Sequence, residues 1–311
     1  MAHTPSSRRI LTVSFVVDLF DVASNLVVAL LTGSAVVFAE MAQGLADSLG
    51  SGLLVVGERR SRLPGNSTHP LGYAREAFFW GLLSAVAMLV IGAGLSAWRG
   101  YEQLVDPSPL DKPLLAIAVV GLAVLTNGFA VSLSVRKLAA ENGSLREAFR
   151  NMDQPLVKSA LLRDSIGTFT SIVGLMALVL YWSLDLLLFD ALGALTAAVM
   201  MVAASIMLMT QARALITGQA LPDMTLARLR AIILDTPGVV AVNRLAAVYS
   251  GASQVLLDAD LDLAEDLDTA RIEALLDLLE ARVREVVPRL ERVRVILNSP
   301  DKPARATMIE R

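Results

Sequence analysis

Carboxylates set inside apolar stretches are the residues of this 311-residue chain best suited to do chemistry. A charge at membrane depth costs about 3 kcal/mol even on the mildest scales, so acids kept there mark sites by default. Glu40, Gln43 and Asp47 stand at i, i+3 and i+7, which puts three oxygen-bearing side chains on one helical stripe. Asp18, Asp21 and Asn25 repeat that spacing, Arg163 and Asp164 follow in a later stretch, and Asn127 adds an amide. Oxygen donors facing a bundle interior suit the path of a hard cation or a proton. The structural alternative is that these groups satisfy one another, with Arg163 neutralising Asp164, Asp21 or Glu40. Several acids against one arginine leave surplus negative charge, and that surplus invites a cation.

Composition removes other chemistries. There is no Cys and there are only two His, so a thiolate site, a disulfide framework and an imidazole cage are excluded. Lys and Arg total 27 against 30 Asp and Glu, a net charge of -3, and no basic field exists to hold nucleic acid. No Ser/His/Asp set or HExxH motif is present, so an enzyme is not expected. Met200, Met201, Met207 and Met209 read as core filler. Asp258, Asp260 and Asp262 alternate with apolar residues as in a half-buried strand with one solvated face. Gly44, Ser48 and Gly52 read as a packing stripe rather than chemistry.

The elements that must position the acids follow from hydropathy. Hydrophobic residues make up 55% of the chain, and mean hydropathy is +0.59. Six stretches reach the length of about 20 apolar residues that a membrane span needs: 10–31, 35–57, 77–98, 114–135, 156–182 and 186–210. The first is expected to be retained as a span, since it is longer than a signal-peptide core and carries Asp18 and Asp21. Arg59, Arg60, Arg62 and Arg75, then Arg136, Lys137, Arg146, Arg150 and Lys158, mark the second and fourth loops as cytoplasmic. Both termini are then cytoplasmic. Beyond residue 210 the apolar runs end, and the pattern predicts a helix at 225–235, strands at 239–249 and 253–263, a helix at 267–287 and a strand at 291–297. The expected fold is an α-helical membrane protein, a six-transmembrane-helix bundle followed by a small α+β domain. Its expected division is 1–212, 213–300 and a loose tail at 301–311.

Thr32-Gly33-Ser34, Glu40 to Asp47, His69-Pro70-Leu71-Gly72, Leu161-Leu162-Arg163-Asp164-Ser165, Phe189-Asp190-Ala191 and Pro237-Gly238-Val239 occur in that order. In this the chain resembles the cation diffusion facilitator family of metal efflux transporters over nearly its whole length. The resemblance implies a homodimer in the cell membrane with a ferredoxin-like cytoplasmic domain, exporting divalent metal in exchange for protons. It also implies a metal site built from two i, i+4 pairs, which fall on Gln43 with Asp47 and on Ala160 with Asp164. Gln43 offers one neutral oxygen and Ala160 no side-chain ligand. In the loop motif of His69, Asn66 stands where the family often has an acid, and Tyr73 replaces a frequent second His.

A donor set of Asp47, Asp164 and Gln43, with Glu40 and Asp21 as further oxygens, suits Mn²⁺, Fe²⁺ or Mg²⁺ better than Zn²⁺. No resident cofactor is implied; the metal is the substrate, and the partners are protons and the lipid bilayer. Without His in the spans the proton carrier must be a carboxylate, and Asp47 and Asp164 are the candidates. The other reading of the altered pairs is a transport-incompetent family member acting as a dimerising scaffold or partner subunit. Arg163 is expected to act as a built-in cation that competes with metal. Replacing it, Arg163→Gln, is therefore predicted to tighten metal binding; an unchanged affinity in equilibrium dialysis removes that role.

Overall fold

The computed structural model describes residues 21–142, 155–251, 254–265 and 267–298. Asp18 and the side chains of Arg163 and Asp164 lie outside the described residues. The chain divides into two compact units, one drawn from residues 1–60 and 77–213, the other from residues 61–76 and 214–311.

The first unit is helical: α1 (Asp21–Thr32), α2 (Ala35–Ser61), α3 (Glu76–Val105), α4 (Pro113–Asn142), α5 (Pro155–Leu184) and α6 (Leu188–Ile216). By length and apolarity α3, the Ser165–Leu184 part of α5, and α6 are long enough to cross a membrane. α2 is the polar one of the set, because its stripe carries Glu40, Gln43 and Asp47. A π-helical turn at Met88–Ala93 widens the middle of α3.

The α1–α2 corner shows how sequence sets the bundle. Gly33 takes the left-handed conformation (φ 72°) and its N–H donates to the Ala29 carbonyl at 2.8 Å, which ends α1. Two residues later α2 begins with four N–H groups that lack helical partners, a costly set away from water. Asp190, fully buried at the start of α6, accepts from Ala35 N at 2.7 Å, Val36 N at 3.2 Å and Ser34 Oγ at 2.6 Å. Ser34 Oγ in turn accepts from Val37 N at 3.2 Å, so the buried start of α2 is satisfied residue by residue. Arg99 of α3 closes the corner, donating to the Gly33 carbonyl at 2.7 Å and pairing with Glu102.

From this anchor α2 packs on its neighbours through small residues. Ala35, Ala39, Ala93, Ala194, Ala197 and Met201 form one buried cluster, and Val36, Val37, Val120 and Leu178 belong to a second. Such side chains let helix backbones approach closely, which is how helices associate where lipid is as apolar as leucine. Within the expected packing stripe, Gly44 does face Val22, whose Cγ2 would lie 3.2 Å from an added Cβ, but Gly52 faces open space.

The second unit contains α7 (Asp223–Leu234), β1 (Val239–Gly251), β2 (Gln254–Leu263), α8 (Thr269–Val286) and β3 (Leu290–Asn298). The observed order is αββαβ, with boundaries within three residues of those read from the alternation. The sheet order is β1-β2-β3; β1 and β2 are antiparallel, β2 and β3 parallel with α8 as the crossover. Along β2 the residues alternate, Leu257, Ala259 and Leu261 buried and Asp258, Asp260 and Asp262 half-buried. Leu229 and Ile233 of α7 and Leu275, Leu279 and Val283 of α8 are likewise buried. Asp268 caps α8, accepting from Arg271 N at 2.8 Å. Residues 219–221 bond the outer edge of β1 through Leu221 N to Ala247 O and Tyr249 N to Gln219 O.

Residues 61–76 belong to this second unit and are knotted by Asn66. Its Oδ1 accepts from Thr68 N, Thr68 Oγ1 and His69 N, and its Nδ2 donates to the Tyr73 hydroxyl at 2.8 Å. The His69 and Tyr73 rings stack with centroids 4.4 Å apart.

Asp190→Ala is predicted to destabilise the helical unit by roughly 3 kcal/mol or more, since hydrogen bonds to a charged acceptor contribute about 1.5–3 kcal/mol each. Asp190→Asn, which keeps one acceptor oxygen, should fall between. Thermal unfolding in detergent checks this; an unaltered midpoint for the alanine variant would remove the anchor.

Candidate metal site

The polar stripe of α2 meets α5 along an antiparallel register that small residues permit. An added Cβ at Gly174 would lie 2.9 Å from Val36 Cγ1, and one at Gly167 would lie 2.9 Å from Gln43 Nε2. Between them Ser171 Oγ donates to Glu40 Oε2 at 3.1 Å. Residues 36, 40 and 43 thus face 174, 171 and 167. Asp47 lies one turn beyond Gln43 on the same face of α2.

Gln43 is buried, and its Oε1 accepts from Thr170 Oγ1 at 2.8 Å. The amide oxygen has two lone pairs, so one stays available to a cation. Thr170 Oγ1 also lies 2.7 Å from the Gly167 carbonyl, and its single proton serves one acceptor at a time. Glu40 is held in the same way. Ser171 Oγ reaches Glu40 and the Gly167 carbonyl, both at 3.1 Å, while accepting from Asn127 Nδ2 at 3.2 Å. An Asn127–Ser171–Glu40 chain therefore crosses α4, α5 and α2.

α1 brings the remaining acid. Asn25 is buried and donates to Asp21 Oδ2 at 3.2 Å, and that same oxygen lies 4.0 Å from where Gly44 would carry a Cβ. Asp21 and Asp47 are both within electrostatic reach of Glu40. The cluster of α1 and α2 thus gathers Asp21, Glu40, Gln43 and Asp47 around one stretch of α2. Among the described residues no three or more His, Cys, Asp or Glu side chains form a closed metal cage. His69 lies in the other unit, in the Asn66-knotted loop.

Sequence reasoning missed Thr170 and Ser171. A signal was present, since Thr168 and Ser171 follow Asp164 at i+4 and i+7 and so continue its helical face. It is weak, because hydroxyls in apolar helices usually bond their own backbone, as Ser96, Thr196 and Ser205 do here.

Residues 11–216 match the cation efflux transmembrane domain. The chain belongs to the cation efflux family. Residues 221–295 match the cytoplasmic domain of cation efflux proteins. It is 25% identical over 236 residues to the human proton-coupled zinc antiporter SLC30A9, mitochondrial, covering 74% of this chain and 41% of that protein. It is 26% identical to metal tolerance protein C4 of Arabidopsis thaliana, over 63% of this chain and 44% of that one. The cation-efflux pump FieF of Shewanella oneidensis is 29% identical over 38% of this chain and 40% of its own length. The chain thus spans less than half the length of these relatives. The solved structure MamM-CTD 215-293 aligns with 25% of this chain and 96% of its own, at 19% identity and a TM-score of 0.23. Members of the cation efflux family are transporters. With three long apolar helices among the described residues, this cation efflux chain is a multi-pass membrane protein, mostly helical, with a small C-terminal α+β domain.

The Ser171–Glu40 contact is predicted to be energetically real. In a double-mutant cycle of Ser171→Ala and Glu40→Gln, read by thermal unfolding in detergent, the coupling should be about 0.5–1.5 kcal/mol. Additive effects would mean that the two groups do not bond.

Proposed function

We propose that this family member exports divalent metal from the cytoplasm across the cell membrane by proton antiport, through a carboxylate-based site between α2 and α5. What supports the reading most is the packing of those two helices, in which Thr170 donates to the Gln43 oxygen and Ser171 to Glu40, with Asp47 one turn beyond Gln43 on the same face of α2. In this reading Asp47, Asp164 and Gln43 bind the ion, and Glu40 and Asp21 add oxygen donors along the same stripe. Asp47 and Asp164 carry the protons, and Arg163 balances charge when the ion is absent.

The donors are oxygens throughout, so the site favours Mn²⁺, Fe²⁺ or Mg²⁺ over Zn²⁺, which prefers nitrogen and sulfur. Zinc belongs in the screen, because the relatives include proteins named as zinc antiporters and zinc transporters. The bundle spans the membrane six times, using α1 to α6, with both termini in the cytoplasm. It forms the domain 1–212, and 213–300 is a ferredoxin-like dimerisation domain that joins two copies, followed by the tail 301–311.

A second reading is favoured by one observation: Ala160, at the first position of the second pair, has no ligand atom. It makes the chain a transport-incompetent scaffold or partner subunit.

Proteoliposomes with an imposed pH gradient separate the two. Gradient-driven flux of one ion among Mn²⁺, Fe²⁺, Co²⁺, Mg²⁺ and Zn²⁺ is expected, and the Asp47→Asn/Asp164→Asn variant should lower it at least tenfold. No flux above protein-free vesicles, from a protein that remains a folded dimer, would establish the scaffold reading.

A further inference from the structure

The loop between α2 and α3 closes against one end of the sheet within the second unit and leaves a cavity of about 280 Å³. One wall is loop backbone and includes Pro64, Gly65, Pro70 and Gly72; the other is formed by Gln254, Glu291 and Arg292. Arg62 and Tyr73 complete the polar lining.

The walls are built rather than incidental. Gly72 has φ 81°, the Asn66 knot fixes the turn before it, and Asn66 Nδ2 holds the Tyr73 hydroxyl at 2.8 Å. The loop seats closely on the β1–β2 hairpin, where a Cβ on Gly251 would lie 2.8 Å from Ala74 Cβ. On the far wall the pairing of β2 with β3 slips, Val255 facing Leu290 and Leu256 facing Arg292, so that Glu291 is an extra residue. Consecutive residues of a regular strand point to opposite faces, and a bulge re-aims them. Here it brings Glu291 and Arg292 to the same cavity.

Charge then selects the occupant. Glu291 Oε2 accepts from Ser250 Oγ at 2.7 Å, so the carboxylate is turned to the hairpin by a partner of its own. Arg62 also interacts within the molecule. The lining thus holds two guanidinium groups, those of Arg62 and Arg292, beside one carboxylate already engaged by Ser250. Guanidinium forks match phosphate oxygens in pairs, and a cavity this size admits a phosphate with a few attached carbons.

We propose that this cavity is a binding site for a phosphate group, held by Arg62 and Arg292, as carried by a phospholipid headgroup or by a soluble phosphate ester. The ligand chemistry is the same in both cases, and the site is independent of metal flux.

The test uses the full-length protein purified in phosphate-free detergent, with inorganic phosphate and glycerol 3-phosphate as soluble probes in calorimetry. A second arm uses nanodiscs of phosphatidylcholine with and without phosphatidate, read as the rise in unfolding temperature. Arg62→Gln and Arg292→Gln are each expected to weaken the response about tenfold and to abolish it together. Arg282→Gln, whose arginine bonds Asp235 at the end of α7, should leave it intact. A response to the soluble probes assigns a soluble ester; a response to phosphatidate alone assigns the lipid. No response from the folded protein in either arm, or one that the double variant keeps, overturns the site. None of these readouts requires transport, so failure of the transport reading would not touch them.

Discussion

The helical unit depends on one carboxylate meeting one helix end. Asp190 sits at the start of α6 and serves donors at the start of α2, 154 to 156 residues away in sequence. In water such an end would cost little, because solvent would satisfy it. Inside a bundle of apolar helices Asp190 and Ser34 do so, and α2 has a fixed origin. The Gly33 carbonyl and Arg99 add α1 and α3 to the same corner.

Everything along α2 is then a matter of counting turns. Gly174 and Gly167 of α5 let α2 approach, and the close approach fixes the register at Val36 and Gln43. With those set, Glu40 can only meet Ser171, and the helices present their remaining polar groups one turn beyond. Packing by small residues and placement of oxygen donors are thus one constraint. A larger residue at Gly167 would displace the Gln43 amide itself, not merely loosen the interface.

Much of this could be read before any coordinates. Apolar runs mark the helices because a bilayer leaves few alternatives, and strict alternation marks β2 because one face must be dry. The stripe of Glu40, Gln43 and Asp47 lies on one helical face by geometry alone. What could not be read rests on distance in sequence. Asp190 opens α6 as a recognisable acid, but its role as the cap of another helix depends on the tertiary fold. Ser171 resembles the many hydroxyls that bond their own backbone. Gly52 shares the spacing of Gly44, yet it meets no neighbour, because spacing says which residues share a face and not whether that face is covered. The loop at 61–76 has the composition of a linker, and only the Asn66 knot and its seat on Gly251 show that it packs with the sheet.

The short segment 219–221 lies along the outer edge of β1, and β3 forms the opposite border of the sheet. The segment covers β1 only at Ala247–Tyr249, whereas no further strand pairs along β3 among the described residues. That border carries Glu291, Arg292 and Arg294, all solvent-exposed. Bare strand borders invite indiscriminate growth, and charges along them are a common protection. A strand that lengthens the sheet at β3 meets these charges and pairs best where its own are complementary.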